Sequence, residues 1–189
     1  WSCCARVDFV HKDMMKLMKQ AGCWMIEYGI ETGNQRIMDS MRKNVTVKQV
    51  EETIKATADA GIITKGNFIL ANPGETHDSI MDSINLACRI PLNYAQHTFL
   101  QPLPGSELYE TAGKYGTFDP AWDRFNTFSI NFIPHGFTRQ QLIDYSKLFW
   151  RRFYLRPRIW FQEIKKIRRK EDIQRLWLAC KAFVKTVFY

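Results

Sequence analysis

A glutamate between two glycines is the first place where this sequence offers chemistry. Gly29-Ile30-Glu31-Thr32-Gly33 closes an apolar, strand-like run that begins at Cys23. A carboxylate at a strand end, beside residues without side chains, can approach a ligand closely and accept two hydrogen bonds from a diol or an amine. The structural alternative is that Glu31 caps the following helix and does nothing else. Spacing alone does not separate the two. Asn67 stands in the apolar run Phe68-Ile69-Leu70, so its amide needs a partner, either a ligand or a neighbouring strand. Asn72-Pro73-Gly74-Glu75-Thr76 then makes a turn that is mainly structural, with Thr76 placed to start a helix. Gln101-Pro102-Leu103-Pro104-Gly105-Ser106 is a third rigid loop, and Lys43 is by default a solvated cation.

Other chemistries are not written in the sequence. His11, His77, His97 and His135 have no metal-ligand spacing. The five cysteines, Cys3, Cys4, Cys23, Cys88 and Cys180, are odd in number and form no C-x-x-C pair. They read as small buried hydrophobes in a reducing, cytoplasmic setting, and no metal ligand is assigned. No nucleophile elbow, Walker loop or glycine-rich dinucleotide fingerprint is present.

The elements that must position these residues alternate. Strands are expected at 2–9, 23–30, 62–71 and 94–100. Helices are expected at 12–21, about 34–41, 46–61 and 78–90, the third opened by a Thr46/Gln49 capping box. Ala21-Gly22 and Ala60-Gly61 each end a helix and launch an apolar strand, a weak internal repeat. Strand–helix alternation of this kind implies parallel strands with right-handed crossovers. Half of a (β/α)8 barrel and a small doubly wound sheet both satisfy it. A short helix follows Gly105, residues 113–135 look irregular, and helices broken at Pro157 run from Thr138 to Phe188.

With 189 residues, 46% apolar and 24% charged, the chain has the make-up of a folded domain, which excludes disordered and collagen-like classes. Nothing at its start reads as a signal peptide, and the opening Trp1-Ser2-Cys3-Cys4 reads as cut from something longer. Charge divides it. Residues 147–189 hold 13 Lys/Arg against three Asp/Glu, whereas the preceding 146 residues hold 14 against 16. Aromatic residues interleave with those cations. Helices that turn aromatics inward and cations to water come first as an explanation, an anionic membrane surface second and nucleic acid third.

Taken in order, the pieces resemble the second half of a radical S-adenosylmethionine (radical SAM) catalytic domain, most closely in the group that also carries a cobalamin-binding domain. The resemblance rests on Arg6-x-Asp8, Ala21-Gly22-Cys23, Gly29 to Gly33, Arg42 to Thr46, Ala60-Gly61-Ile62, Asn67 to Thr76 and Pro102 to Ser106, with Phe153 to Pro157 resembling that group's tail. It implies an α/β fold: a partial (β/α) barrel of about four parallel strands in residues 1–112, then an irregular linker and basic helical extension in 113–189. It also implies S-adenosylmethionine and a 4Fe-4S cluster as cofactors, with cobalamin in the full-length protein. By that resemblance Glu31 and Asn67 lie near the ribose, Lys43 pairs with the methionine carboxylate, and Ile69 offers a backbone contact to adenine.

Two departures stand out. Ala71 occupies a position where the family usually has glycine, and the three-cysteine cluster motif is absent from the sequence. The expectation is therefore a fragment of a radical SAM enzyme, inactive alone, whose partner is the N-terminal half of the barrel and whose substrate is a small or lipid-like molecule. The alternative is a non-catalytic α/β module that docks on a membrane surface or an anionic partner through its basic helices.

Overall fold

The structure, a computed structural model, describes residues 1–121, 125, 126 and 129–188. Four parallel strands, β1 (Ser2–Ala5), β2 (Met25–Glu31), β3 (Ile63–Leu70) and β4 (Tyr94–Phe99), lie side by side in chain order. Between them run α1 (Lys12–Gln20), α2 (Gln35–Ser40), α3 (Val47–Asp59) and α4 (His77–Arg89). With right-handed crossovers, a sequential strand order sends every helix to the same face of the sheet. A doubly wound sheet would instead reverse its order partway. The fold is therefore α/β with the wall of a partial (β/α) barrel, and the doubly wound alternative is excluded.

Burial follows from that arrangement. On the helix side, Ile26, Tyr28 and Ile30 of β2 and Phe68 and Leu70 of β3 are buried almost completely. The Tyr28 hydroxyl meets Thr57 Oγ1 of α3 at 2.8 Å, which satisfies the phenol inside that layer. The alternate residues, Glu27, Gly29 and Glu31 on β2 and Lys65, Asn67 and Ile69 on β3, are only half-buried. A parallel sheet covered on both faces carries near-continuous apolar runs. This one carries polar side chains on one face because α1 to α4 all lie on the other.

Local signals act where the sequence places them. Thr46 and Gln49 form the capping box of α3, and Thr76 and Ser79 that of α4. β1 is shorter than the expected 2–9, because the chain turns at once: the Phe9 amide donates to the Arg6 carbonyl. Residues 113–135 are less irregular than expected. After α5 (Glu107–Thr111), β5 (Gly116–Phe118) pairs antiparallel with β6 (Phe132–Pro134). Residues 122–124 and 127–128 of that stretch lie outside the described residues.

The chain forms two compact units, 1–142 and 143–189. α6 (Arg139–Tyr154) leads into the second, which holds α7 (Pro157–Ile164) and α8 (Lys170–Phe188). Pro157 opens α7, where its missing N–H costs nothing. The aromatics divide rather than turning uniformly inward: Phe149 and Phe153 are buried, whereas Trp160, Phe161 and Trp177 are exposed. Among the described residues no helix is long and apolar enough to cross a membrane. The cysteines depart from the expected burial: only Cys23 is buried, and Cys4 is exposed, in register with Glu27 of the open face.

Candidate functional site

The carboxyl ends of β2 and β3 are where the polar face of the wall meets its loops. Pairing runs regularly from Met25↔Ile63 to Gly29↔Asn67, then slips so that Glu31 sits opposite Phe68. This bulge ends in a tight turn: the Thr32 amide donates to the Ile30 carbonyl at 2.9 Å, and Glu31 takes a left-handed φ of 69°. A side chain forced into that region, at a strand end, is a local strain of the kind concentrated at functional sites.

Glu31 does not cap the next helix. Asn34 does, accepting from the Ile37 amide at 3.2 Å. The Glu31 carboxylate instead accepts from Lys43 Nζ at 2.8 Å, and the same ammonium donates to the Gly29 carbonyl. Lys43 is no solvated surface cation, since its side chain is only 9% exposed. Two left-handed residues flank it, Arg42 at φ 54° and Asn44 at φ 55°. Arg6 holds the loop by donating to the Lys43 carbonyl at 2.9 Å, its guanidinium oriented by a two-point pair with Asp8. The Arg6-x-Asp8 motif thus anchors the loop that carries Lys43.

Gly29 leaves the space these groups fill. A Cβ there would lie 2.5 Å from Glu31 Oε1 and 3.5 Å from Lys43 Nζ. Gly33 has a different task, since a Cβ on it would meet the Asp82 carbonyl of α4 at 2.5 Å. That close approach lets the Gly33 amide reach Ser83 Oγ at 2.8 Å, tying the loop after β2 to α4.

Asn67 faces the same side one layer deeper. Its Nδ2 donates to Glu27 at 2.7 Å, and Lys65 Nζ lies 3.0 Å from the same carboxylate oxygen. The hydrogen bond from Asn67, then Lys65, holds the Glu27 carboxyl below the usual range despite desolvation. Asn67 Oδ1 is enclosed and accepts no hydrogen bond among the described residues. The polar residue expected to need a partner has found a neighbouring strand. Sequence reasoning missed Glu27 and Lys65, whose only signal was a charge of each sign at alternating positions of two adjacent strands. Ile69 lies two residues further along the same face, and its carbonyl accepts Asn72 Nδ2 at 2.9 Å. A carbonyl has a second lone pair for another donor. Glu31 and Lys43 are thus in direct contact, and Asn67 and Ile69 share their face.

β3 ends with a left-handed residue too, Ala71 at φ 68°. Beyond it Glu75, 3% exposed, accepts from the Asn72 amide at 2.9 Å and from Asn72 Nδ2 at 3.3 Å. Burial outweighs these bonds and pushes the Glu75 carboxyl up to about 7. Among the described residues no three His, Cys, Asp or Glu side chains converge to hold a metal ion.

Residues 2–87 match the family model of the radical SAM superfamily. Over that stretch, just under half of its length, the chain is similar to the radical SAM superfamily. It is 28% identical over 165 residues to an uncharacterized methyltransferase of Pyrococcus horikoshii, covering 87% of this chain and 36% of that one. An anaerobic magnesium-protoporphyrin IX monomethyl ester cyclase of Rubrivivax gelatinosus is 26% identical across 100% of the chain and 34% of its own length. The chain therefore spans about a third of the curated relatives it matches. Among solved structures, an N-terminally deleted Elp3 of Methanocaldococcus infernus superposes with a TM-score of 0.57 at 16% identity, over 77% of this chain and 32% of that one. TsrM of Kitasatospora setae does so with 0.51 at 16%, over 72% and 28%. These two share the fold.

Proposed function

We propose that this chain is part of a radical SAM enzyme and supplies the S-adenosylmethionine contacts of that larger protein, at the rim formed by Gly29, Glu31 and Lys43. The observation that carries the reading is the Glu31–Lys43 pair, an acceptor and a cation held together at the carboxyl edge of a parallel wall, beside a glycine that a Cβ would fill. In such folds ligands sit at that edge. Glu31 would accept from the ribose hydroxyls, Lys43 would pair with the methionine carboxylate, and the Ile69 backbone would meet the adenine edge. Asn67, tied to Glu27, is assigned a place beside the ribose.

Bound S-adenosylmethionine supplies the radical chemistry of the family on reductive cleavage at a 4Fe-4S cluster. This chain's cysteines do not fit that cluster, because adjacent Cys3 and Cys4 on β1 point to opposite faces and no three ligands converge among the described residues. The proposal therefore assigns the cluster to residues outside the chain, in the N-terminal half of the barrel. It assigns cobalamin to the complete protein, supported by the TsrM structure, which holds cobalamin and a [4Fe-4S] cluster, and by relatives named as methyltransferases. The substrate in this reading is a small or lipid-like molecule. Calorimetric titration of the full gene product with S-adenosylmethionine tests the assignment. Glu31→Ala should weaken binding about tenfold to a hundredfold, the value of one charged hydrogen bond. Unchanged affinity would overturn it.

A further inference from the structure

The surface of residues 143–189 is strongly positive and also widely apolar. α7 exposes Trp160, Phe161 and Ile164, while α8 exposes Ile173, Trp177, Leu178 and Val184, five of these seven more than half exposed. Ile173, Trp177 and Val184 recur at helical spacing and share one face of α8. Between the two helices stands Lys165-Lys166-Ile167-Arg168-Arg169-Lys170, a run with a single uncharged residue. Two of the three acids nearby are engaged. Glu163 pairs with Lys166 at 2.5 Å, and Asp172 pairs with Arg175 at 3.2 Å while accepting the amides of Arg168 and Arg169. Lys181 Nζ lies 5.4 Å from the Trp177 ring centroid, so a cation and an aromatic are presented side by side.

Large exposed apolar surface marks a binding site. Its combination with dense cation narrows the partner. A protein groove would cover the aromatics but gives no reason for a surplus of cations. Nucleic acid would take the cations and stack on tryptophan, but Ile164, Ile173, Leu178 and Val184 have no base to stack on. An anionic bilayer takes all three: phosphates for Lys and Arg, the headgroup zone for Trp, and the acyl boundary for the aliphatic side chains. α8 has too many charges to span a bilayer and suits lying in its plane.

We propose that α7, the basic run 165–170 and α8 form a peripheral docking surface for anionic phospholipid membranes, with Trp160, Phe161 and Trp177 inserted at headgroup depth. The proposal stands independently of the cofactor assignment. Its test is co-sedimentation of the full gene product with phosphatidylcholine vesicles, with and without phosphatidylglycerol. Anionic vesicles should capture the protein, and salt at about 1 M, where the Debye length is about 3 Å, should release it. Neutralising Arg168, Arg169 and Lys170 with glutamine should lower partitioning on the order of a hundredfold, at about fivefold per cation. Brominated acyl chains should quench tryptophan fluorescence of the unaltered protein, and Trp160→Phe with Trp177→Phe should abolish that quenching. Failure of anionic vesicles to capture the protein, equal capture by neutral vesicles, capture without quenching, or preferential binding to RNA homopolymer would each overturn it.

Discussion

β2 and β3 end with the same backbone gesture and then put it to opposite uses. Glu31 and Ala71 take left-handed φ values of 69° and 68° on neighbouring strands, and each bend is followed by a short polar loop into a helix. At the end of β2 the bent residue itself carries the carboxylate, on the half-open face against Lys43. At the end of β3 the carboxylate comes four residues later and folds back, buried, onto the Asn72 backbone and side chain. One carboxylate has a directly bonded cation, and the other has backbone and side-chain amides. The difference teaches that strand-end geometry alone does not make a ligand site; what matters is which face receives the charge and whether a cation accompanies it.

If the comparison is right, the largest stability effect belongs to Glu75. Glu75→Ala leaves the Asn72 backbone amide without its acceptor in a buried turn, while Nδ2 keeps the Ile69 carbonyl, at a cost of about 1–3 kcal/mol. Its pH dependence has a definite sign. A folded value of about 7 lies above the unfolded carboxyl near ~4.3, so the folded state binds the proton more tightly. The stability this group contributes is full below about pH 4 and is lost as pH rises through 7, roughly 3 kcal/mol in all. Urea midpoints at pH 5 and pH 8 check it: the unaltered protein should lose more between them than Glu75→Gln does. Parallel losses would mean that Glu75 does not bury an ionisable proton.

The rim should respond in binding instead. Glu31→Ala should cost less than about 1 kcal/mol of stability, because Lys43 keeps the Gly29 carbonyl, while S-adenosylmethionine affinity falls as given above. Gly29→Ala should follow the same pattern. Its Cβ meets the flexible end of Glu31, which can swing aside at little cost in folding but leaves the position set by Lys43. An affinity loss of about tenfold with a stability change under about 1 kcal/mol is expected from paired calorimetry and urea titration. Equal losses in both would make the rim a structural latch like Glu75 and erase the contrast.

How much of this was legible depends on how local each signal is. The caps at Thr46 and Thr76 and the alternation of strands and helices were readable because a few consecutive residues decide them. Glu31 and Lys43 stood out through their motifs, but their contact did not, since it needs the left-handed loop at Arg42 and Asn44 and the tie from Arg6. Glu27–Lys65 was out of reach, because a cross-strand pair exists only once register is fixed. The β5–β6 hairpin joins two three-residue strands, too short for periodicity to register. In α8 the helical pattern was clear, but which apolar residues end up covered is decided by packing outside the helix.

The smallest effect tests the shared bend itself. Ala71 is fully buried with its Cβ in the left-handed region, which costs about 1–2 kcal/mol against a right-handed residue. Ala71→Gly removes that strain, but it adds about 0.4–1 kcal/mol of unfolded-chain entropy. It also gives up a buried methyl worth about 0.8 kcal/mol. The terms nearly cancel, so the urea midpoint should barely move. Glu31→Gly makes the same backbone change where the side chain is partly exposed, so less burial is lost and relief of strain should show. Glu31→Gly should therefore be more stable than Glu31→Ala by about 1 kcal/mol, since both lack the carboxylate and differ only in the Cβ. A Glu31→Gly variant no more stable than Glu31→Ala would mean that the bend at β2 holds no strain. The left-handed turn would then be a relaxed feature of both strand ends, and the carboxylate's placement would owe everything to Lys43.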